Sequence, residues 1–132
     1  MDIVWKYKID LTNEGVFSEI EKERGIKIPD ALKKLVVEAN ASTPDKYNFM
    51  VGSVERILGA VLSFNRNEDD TDNVFTALGA IEDTNLFPFG IDPFGNYICL
   101  NLSDGIVVFW DHETGTTTST EKKLESFLDS LY

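Results

Sequence analysis

The sequence predicts an α+β fold: two N-terminal helices, a mostly antiparallel sheet, and a C-terminal helix packed on the sheet. Two observations carry this. Helical periodicity is concentrated at the two ends of the chain. Between them lie short apolar runs set apart by turn residues, such as Asp92-Pro93-Phe94-Gly95-Asn96 and Ser103-Asp104-Gly105. Helices and strands are segregated along the chain instead of alternating, which favours hairpins over parallel crossovers.

Taken in order, residues 2–10 alternate loosely, with Ile3, Trp5, Tyr7 and Ile9 against Lys6 and Lys8, and read as a short strand or extended arm. Thr12 or Asn13 can cap a helix through Arg24, with Val16, Phe17 and Ile20 on its inner face. Gly25 follows as the C′ residue, because the missing Cβ tolerates a left-handed backbone. Pro29 suits the first position of a second helix, whose apolar stripe is Leu32, Leu35, Val36 and Ala39 and which ends at Asn40-Ala41-Ser42-Thr43-Pro44. Strands are expected at Tyr47–Val51 and Gly59–Phe64, with 54–58 ambiguous between them. Asp70, Thr71 or Asp72 could cap a short helix carrying Val74, Phe75 and Leu78. Leu86–Phe89 is extended because Pro88 biases Phe87 away from the helical region. Tyr97–Leu102 and Ile106–Trp110 form a hairpin closed by Asp104-Gly105. Thr114–Ser119 reads as a loop, and Thr120 as the cap of a last amphipathic helix carrying Leu124, Phe127, Leu128 and Leu131. Gly90 and Gly95 read as turn glycines.

Charge is distributed unevenly. The 132 residues carry a net −11, yet positions 67–120 contain no Lys or Arg and hold ten acids, so −10 of that charge lies in one stretch. Such a surface repels nucleic acid and anionic membrane, both of which are bound through basic side chains. It would attract and steer a basic protein partner. An acidic surface that serves only solubility is the plain alternative. One Cys excludes an internal disulfide framework, and with one His it leaves no Cys/His zinc set. No apolar run approaches a membrane span, and Met1–Lys6 lacks a signal-peptide pattern, so a cytoplasmic location is expected.

No catalytic set is assembled in the sequence. Asp111-His112-Glu113 could supply a general base or a hard-cation site, but alternation along a strand points His112 away from both carboxylates. Cys99 sits mid-strand between Ile98 and Leu100 with no basic neighbour, as a buried structural thiol does. Glu68-Asp69-Asp70-Thr71-Asp72 resembles a calcium loop in composition only, lacking its Gly and distal Glu. No phosphate-cradling glycine motif and no nucleophile elbow occur. Neither a cofactor nor a metal is implied.

Four segments together resemble one family. They are Ile20-Glu21-Lys22-Glu23-Arg24-Gly25-Ile26-Lys27-Ile28-Pro29-Asp30, the stretch from Glu55 to Asn65, the stretch from Phe87 to Cys99, and Val107-Val108-Phe109-Trp110-Asp111-His112-Glu113. In order and spacing the chain is similar to the SUKH superfamily, which includes yeast cell-wall synthesis regulators and many bacterial immunity proteins. The resemblance runs from about Glu14 to Tyr132 and implies one SUKH-like domain over 1–132. The family often carries Gly-Gly after the second helix, where this chain has Asn40-Ala41-Ser42-Thr43-Pro44. The resemblance further implies a non-enzymatic domain that binds another protein. For a bacterial member that partner is a cognate toxin, often a basic nuclease; for a regulatory member it is an endogenous partner in cell-wall synthesis or signalling. The residues expected to make contact are Glu68, Asp69, Asp70, Asp72, Asp104, Asp111 and Glu113, with Trp110 either an aromatic anchor or part of the core.

Overall fold

The computed structural model describes residues 3–66 and 72–132. The order of elements is β1 (Trp5–Lys6), α1 (Val16–Arg24), α2 (Asp30–Ala39), β2 (Thr43–Pro44), β3 (Asn48–Val51), β4 (Val54–Ile57), β5 (Ala60–Val61), α3 (Val74–Ala80), β6 (Leu86–Ile91), β7 (Tyr97–Asn101), β8 (Ile106–Trp110), β9 (Thr117–Lys123) and α4 (Leu124–Asp129). The α+β class holds, and every strand pairing is antiparallel. β5 to β9 form a five-stranded sheet in chain order, β3 and β4 a separate hairpin, and β1 and β2 a two-residue pairing.

Strand alternation divides the sheet into two unlike faces. Ile98 and Leu100 of β7 and Val107 and Phe109 of β8 enter the main core, beside Phe87 and Phe89 of β6. The helices close over this face. Phe127 of α4 meets Phe49 and Phe89 edge-on, with ring centroids 5.0 and 6.3 Å apart, and Phe17 of α1 reaches Phe87 through Phe64. On the opposite face Cys99, Val108, Ile81 and Leu86 make a smaller cluster against which Tyr97 and Trp110 pack.

Both N-terminal helices lie where periodicity places them, but their caps differ. Asn13 does not cap directly; its Oδ1 accepts from the Gly15 N–H, and Gly15 itself precedes the first turn. Thr12 instead donates its N–H to Asn65 Oδ1. Gly25 takes the left-handed conformation expected of it, φ 65°. Pro29 stands one residue ahead of α2 with extended ψ, so its ring shapes the entry instead of starting the helix. The turn after α2 survives without Gly-Gly, because Ala41 itself adopts φ 60°. It is held there by its neighbours: buried Asn40 accepts from the Phe64 N–H and donates to the Ile9 carbonyl, and Ser42 receives the Val61 N–H.

The remaining differences have local physical causes. The N-terminal strand shrinks to Trp5–Lys6 because Tyr7 turns to φ 63° and leaves the ladder. The ambiguous segment is β4, and the strand expected over Gly59–Phe64 pairs as β5 only at Ala60–Val61. The short helix is capped by Asn73, whose Oδ1 accepts from the Thr76 N–H, and not by Asp72. Asp70 and Thr71 lie outside the described residues. Gly90 is a buried residue of β6 beside a bulge, not a turn glycine. A Cβ there would lie 2.6 Å from Leu58 Cδ1, so close packing and not turn chemistry requires Gly. The second half of the expected Thr114–Ser119 loop, from Thr117, belongs to β9, and α4 begins after Lys123. Apart from Thr120, β9 is exposed on both faces, so no apolar alternation marks it in the sequence. Thr120 is not a helix cap; its hydroxyl donates to the Val107 carbonyl at 2.6 Å and ties β9 to β8.

Candidate interaction surface

Antiparallel order puts the β6–β7 turn and the β8–β9 turn side by side at one end of the sheet, and the β7–β8 turn at the other. Asp92 organises the first end. It is 5% exposed, and its Oδ1 accepts the N–H groups of Phe94 and Asn96 at 2.9 and 2.8 Å. Its Oδ2 accepts from Asn96 Nδ2 at 2.9 Å. Asn96 Oδ1 in turn accepts from the backbone N–H of His112 at 3.0 Å and lies 2.7 Å from His112 Nδ1, which donates to it. One buried carboxylate therefore fixes the first turn internally and clasps it to the second.

The clasp presents an aromatic side chain. Phe94, at the tip of the Asp92–Asn96 turn, is 70% exposed. Burying such a side chain contributes about 1.5–3 kcal/mol, and a clasped turn has already lost much of its conformational freedom before a partner arrives. At the same end, on the outer face of the sheet, Tyr97 stacks on Trp110 with centroids 5.7 Å apart at 28°. Both rings are half-buried, so Trp110 is at once a packing residue of the smaller cluster and part of the surface. Burial, and then the nearby Asp72 carboxylate, push the Tyr97 hydroxyl pKa up.

The expected contact residues divide accordingly. Trp110, Asp111 and Glu113 belong to the Phe94 end, and Glu113 is exposed there; Asp72, also exposed, lies near the Tyr97 hydroxyl, its carbonyl accepting the Ser63 N–H. Asp104 does not join them. It closes the β7–β8 turn by accepting the Ile106 N–H, about 17 Å away along β8 at ~3.4 Å per residue. Near it a polar group runs from Asp83 through Asn85 to Asn101 and Ser103. Glu68, Asp69 and Asp70 lie outside the described residues. The sheet thus carries acids at both ends, and the aromatic side chains Phe94, Tyr97 and Trp110 at one.

Asp111, His112 and Glu113 do not converge on a reacting centre. Asp111 Oδ1 is taken by the Glu113 N–H, and the imidazole turns to Asn96. Among the described residues no group of three or more His, Cys, Asp or Glu could hold a metal ion. Cys99 is fully buried, and burial pushes its thiol far above the ordinary range, which keeps it un-ionised and inert. A groove of about 460 Å³ between the N-terminal arm, α2 and α4 mixes Trp5, Leu35 and Leu128 with Lys34, Glu38 and Glu125; none of its lining residues comes from 67–120.

Phe94 and the Asp92 clasp are missed by reading the sequence. The available signal is a Phe inside a five-residue turn otherwise made of Asp, Pro, Gly and Asn, an apolar side chain with no strand or helix to bury it.

The profile of the SUKH_6 family, described as SMI1-KNR4 cell-wall, matches residues 14–128. A crystal structure of a protein from Pseudomonas syringae pv. tomato superimposes with a TM-score of 0.55 at 18% identity, covering 85% of this chain and 77% of that one. At that identity the likeness shows the fold alone. No curated protein matches the chain. No helix among the described residues is long and apolar enough to cross a membrane.

Proposed function

Because the chain belongs to the SUKH (SMI1-KNR4) family, we propose that it is a non-enzymatic protein-binding domain. Specifically, we propose an immunity protein that neutralises a cognate toxin by direct binding through its acidic surface. The observation that carries this reading is Phe94, 70% exposed on a clasped turn in a stretch that contains acids but no Lys or Arg. An aromatic anchor with an acidic surround suits a partner that has an apolar pocket rimmed by basic side chains, as a nuclease surface made for phosphates would offer. Phe94 supplies area on a rigid turn. Asp72, Asp111 and Glu113 supply steering and pairing, and close pairs across such an interface couple by about 1.5–7 kcal/mol.

The test is co-expression with the product of the neighbouring reading frame, scored for survival and co-purification. Phe94→Ala should weaken the complex by at least about tenfold, consistent with loss of a central aromatic anchor. Reversing Asp72, Asp111 and Glu113 to Lys should abolish protection, and rising salt should weaken the complex. Protection that survives both sets of changes would remove this surface from the mechanism. The family's cell-wall description supports a second reading, a regulatory module with an endogenous partner. A neighbouring product that is not toxic, with co-purification still dependent on Phe94, would favour that reading.

A further inference from the structure

The register of the five-stranded sheet sets Ala60, Ile91, Tyr97, Trp110 and Thr117 side by side in one row across its outer face. In the next row Pro88, Cys99 and Val108 are buried, with Ile81 packed in the same cluster, whereas no member of the first row is buried. At the centre of that open row the Tyr97 and Trp110 rings stack at 5.7 Å and 28°, and both are half-buried. Beyond Trp110 stands Thr117, short and exposed, so β9 offers the indole no ring-sized neighbour.

Elsewhere the chain covers aromatic rings with its own arginines. Arg66 lies 4.2 Å over the Phe75 ring and reaches Glu19 and Glu23 at 3.3 and 3.4 Å, and Arg56 lies 4.4 Å over Phe109. Among the described residues no such cation lies over Tyr97 or Trp110. The same strands supply none: 67–120 holds no Lys or Arg, and Lys123 pairs with Ile106, about 14 Å from Trp110 along β8 at ~3.4 Å per residue. An anion is close instead, because the exposed Asp72 carboxylate acts on the Tyr97 hydroxyl. We propose that the Tyr97–Trp110 pair is the seat of an arginine side chain of the protein partner, the guanidinium stacking on the open side of the rings with Asp72 as its counter-charge. This rests on the protein-binding reading above and names the chemistry that the aromatic pair meets there. A guanidinium suits the site better than an ammonium. It is flat and more weakly hydrated, and it can stack on a ring while its N–H groups fork onto a carboxylate. Arg66 already makes that arrangement with Phe75 and Glu19. An acidic side chain would be repelled by Asp72, and an apolar one would leave its charge unanswered.

Nuclear magnetic resonance of the isotope-labelled full chain tests this without a partner. The probe is N-acetyl-arginine amide, with its lysine and citrulline analogues as controls at constant ionic strength. The arginine compound should give saturable shifts of the Trp110 indole N–H and of the Tyr97 and Thr117 amides. Lysine should bind at least about threefold more weakly, and uncharged citrulline should not bind. Trp110→Leu should abolish the shifts at Tyr97 and Thr117. Asp72→Asn changes an exposed side chain and should weaken binding by about two- to fivefold with an unchanged circular dichroism spectrum, which keeps the test decisive if Trp110→Leu disturbs the fold. No saturable shift up to the solubility of the probe overturns the proposal. So does binding that is equal for arginine and either analogue, or indifferent to both substitutions. A chain that ignores arginine while its complex still depends on Phe94 removes this inference and leaves the toxin reading standing. Arginine binding that persists in a chain giving no protection upholds this inference and removes the toxin.

Discussion

Replacing Asp92 by Ala deletes the acceptor of three donors in a site that is 5% exposed. The Phe94 N–H lies in an exposed residue and can turn to water. The N–H and Nδ2 of Asn96 cannot do so as readily, since Asn96 is itself only 7% exposed. A buried donor left unpaired costs about 1–3 kcal/mol, so two of them, with the lost charge assistance, put Asp92→Ala at about 3–4 kcal/mol. Asp92→Asn is the more informative variant. Its Oδ1 keeps the two backbone bonds, but its NH₂ faces the Asn96 NH₂. Asn96 cannot rotate to relieve this without turning its own NH₂ onto the His112 N–H. Asp92→Asn should therefore cost about 1.5–3 kcal/mol, less than the Ala variant but far from neutral. Urea unfolding with a shared m-value measures both, and for a chain of this length each kcal/mol should lower Tm by about 3 °C. An Ala variant within about 1 kcal/mol of the parent, or an Asn variant as costly as Ala, would refute the clasp as described.

Gly90→Ala should destabilise by about 1–3 kcal/mol, because the new Cβ would approach Leu58 Cδ1 to 2.6 Å and Ile98 Cβ to 3.3 Å inside a filled core; chemical denaturation measures it. Ala41→Gly should do the opposite. Relief of a left-handed Ala, about 1–2 kcal/mol, outweighs the added freedom of the unfolded chain and leaves a gain of about 0.5–1 kcal/mol, read as a rise in Tm. Glu21 responds to acid. The Ile28 N–H at 2.8 Å, and then Lys33 at 3.5 Å, hold its carboxyl below the ordinary 4.5. Its stabilising contribution is therefore complete above that value and lost as pH falls through the lower folded one. Glu21→Gln should flatten that part of a stability-versus-pH curve, and an unchanged acid limb would contradict the assignment.

The sequence by itself determined the α+β class, the two N-terminal helices, the Asp104-Gly105 hairpin and the inertness of Cys99. Each of these rests on residues close together in the chain: apolar spacing at three and four, a left-handed Gly25, a buried thiol in an apolar run. β9 escaped detection because its strand character comes from pairing with β8 and from one buried Thr120, not from alternation along its own length. Only the tertiary structure decided which acids share a surface. Asp104 and Asp111 are seven positions apart in sequence, yet a strand running between them carries them to opposite ends of the sheet. Asp92 and His112, twenty positions apart, are brought together through Asn96 because hairpin order places alternate turns side by side. Charge in a linear stretch records how many carboxylates there are. Their grouping depends on where antiparallel strands reverse, and that is fixed by register and core packing.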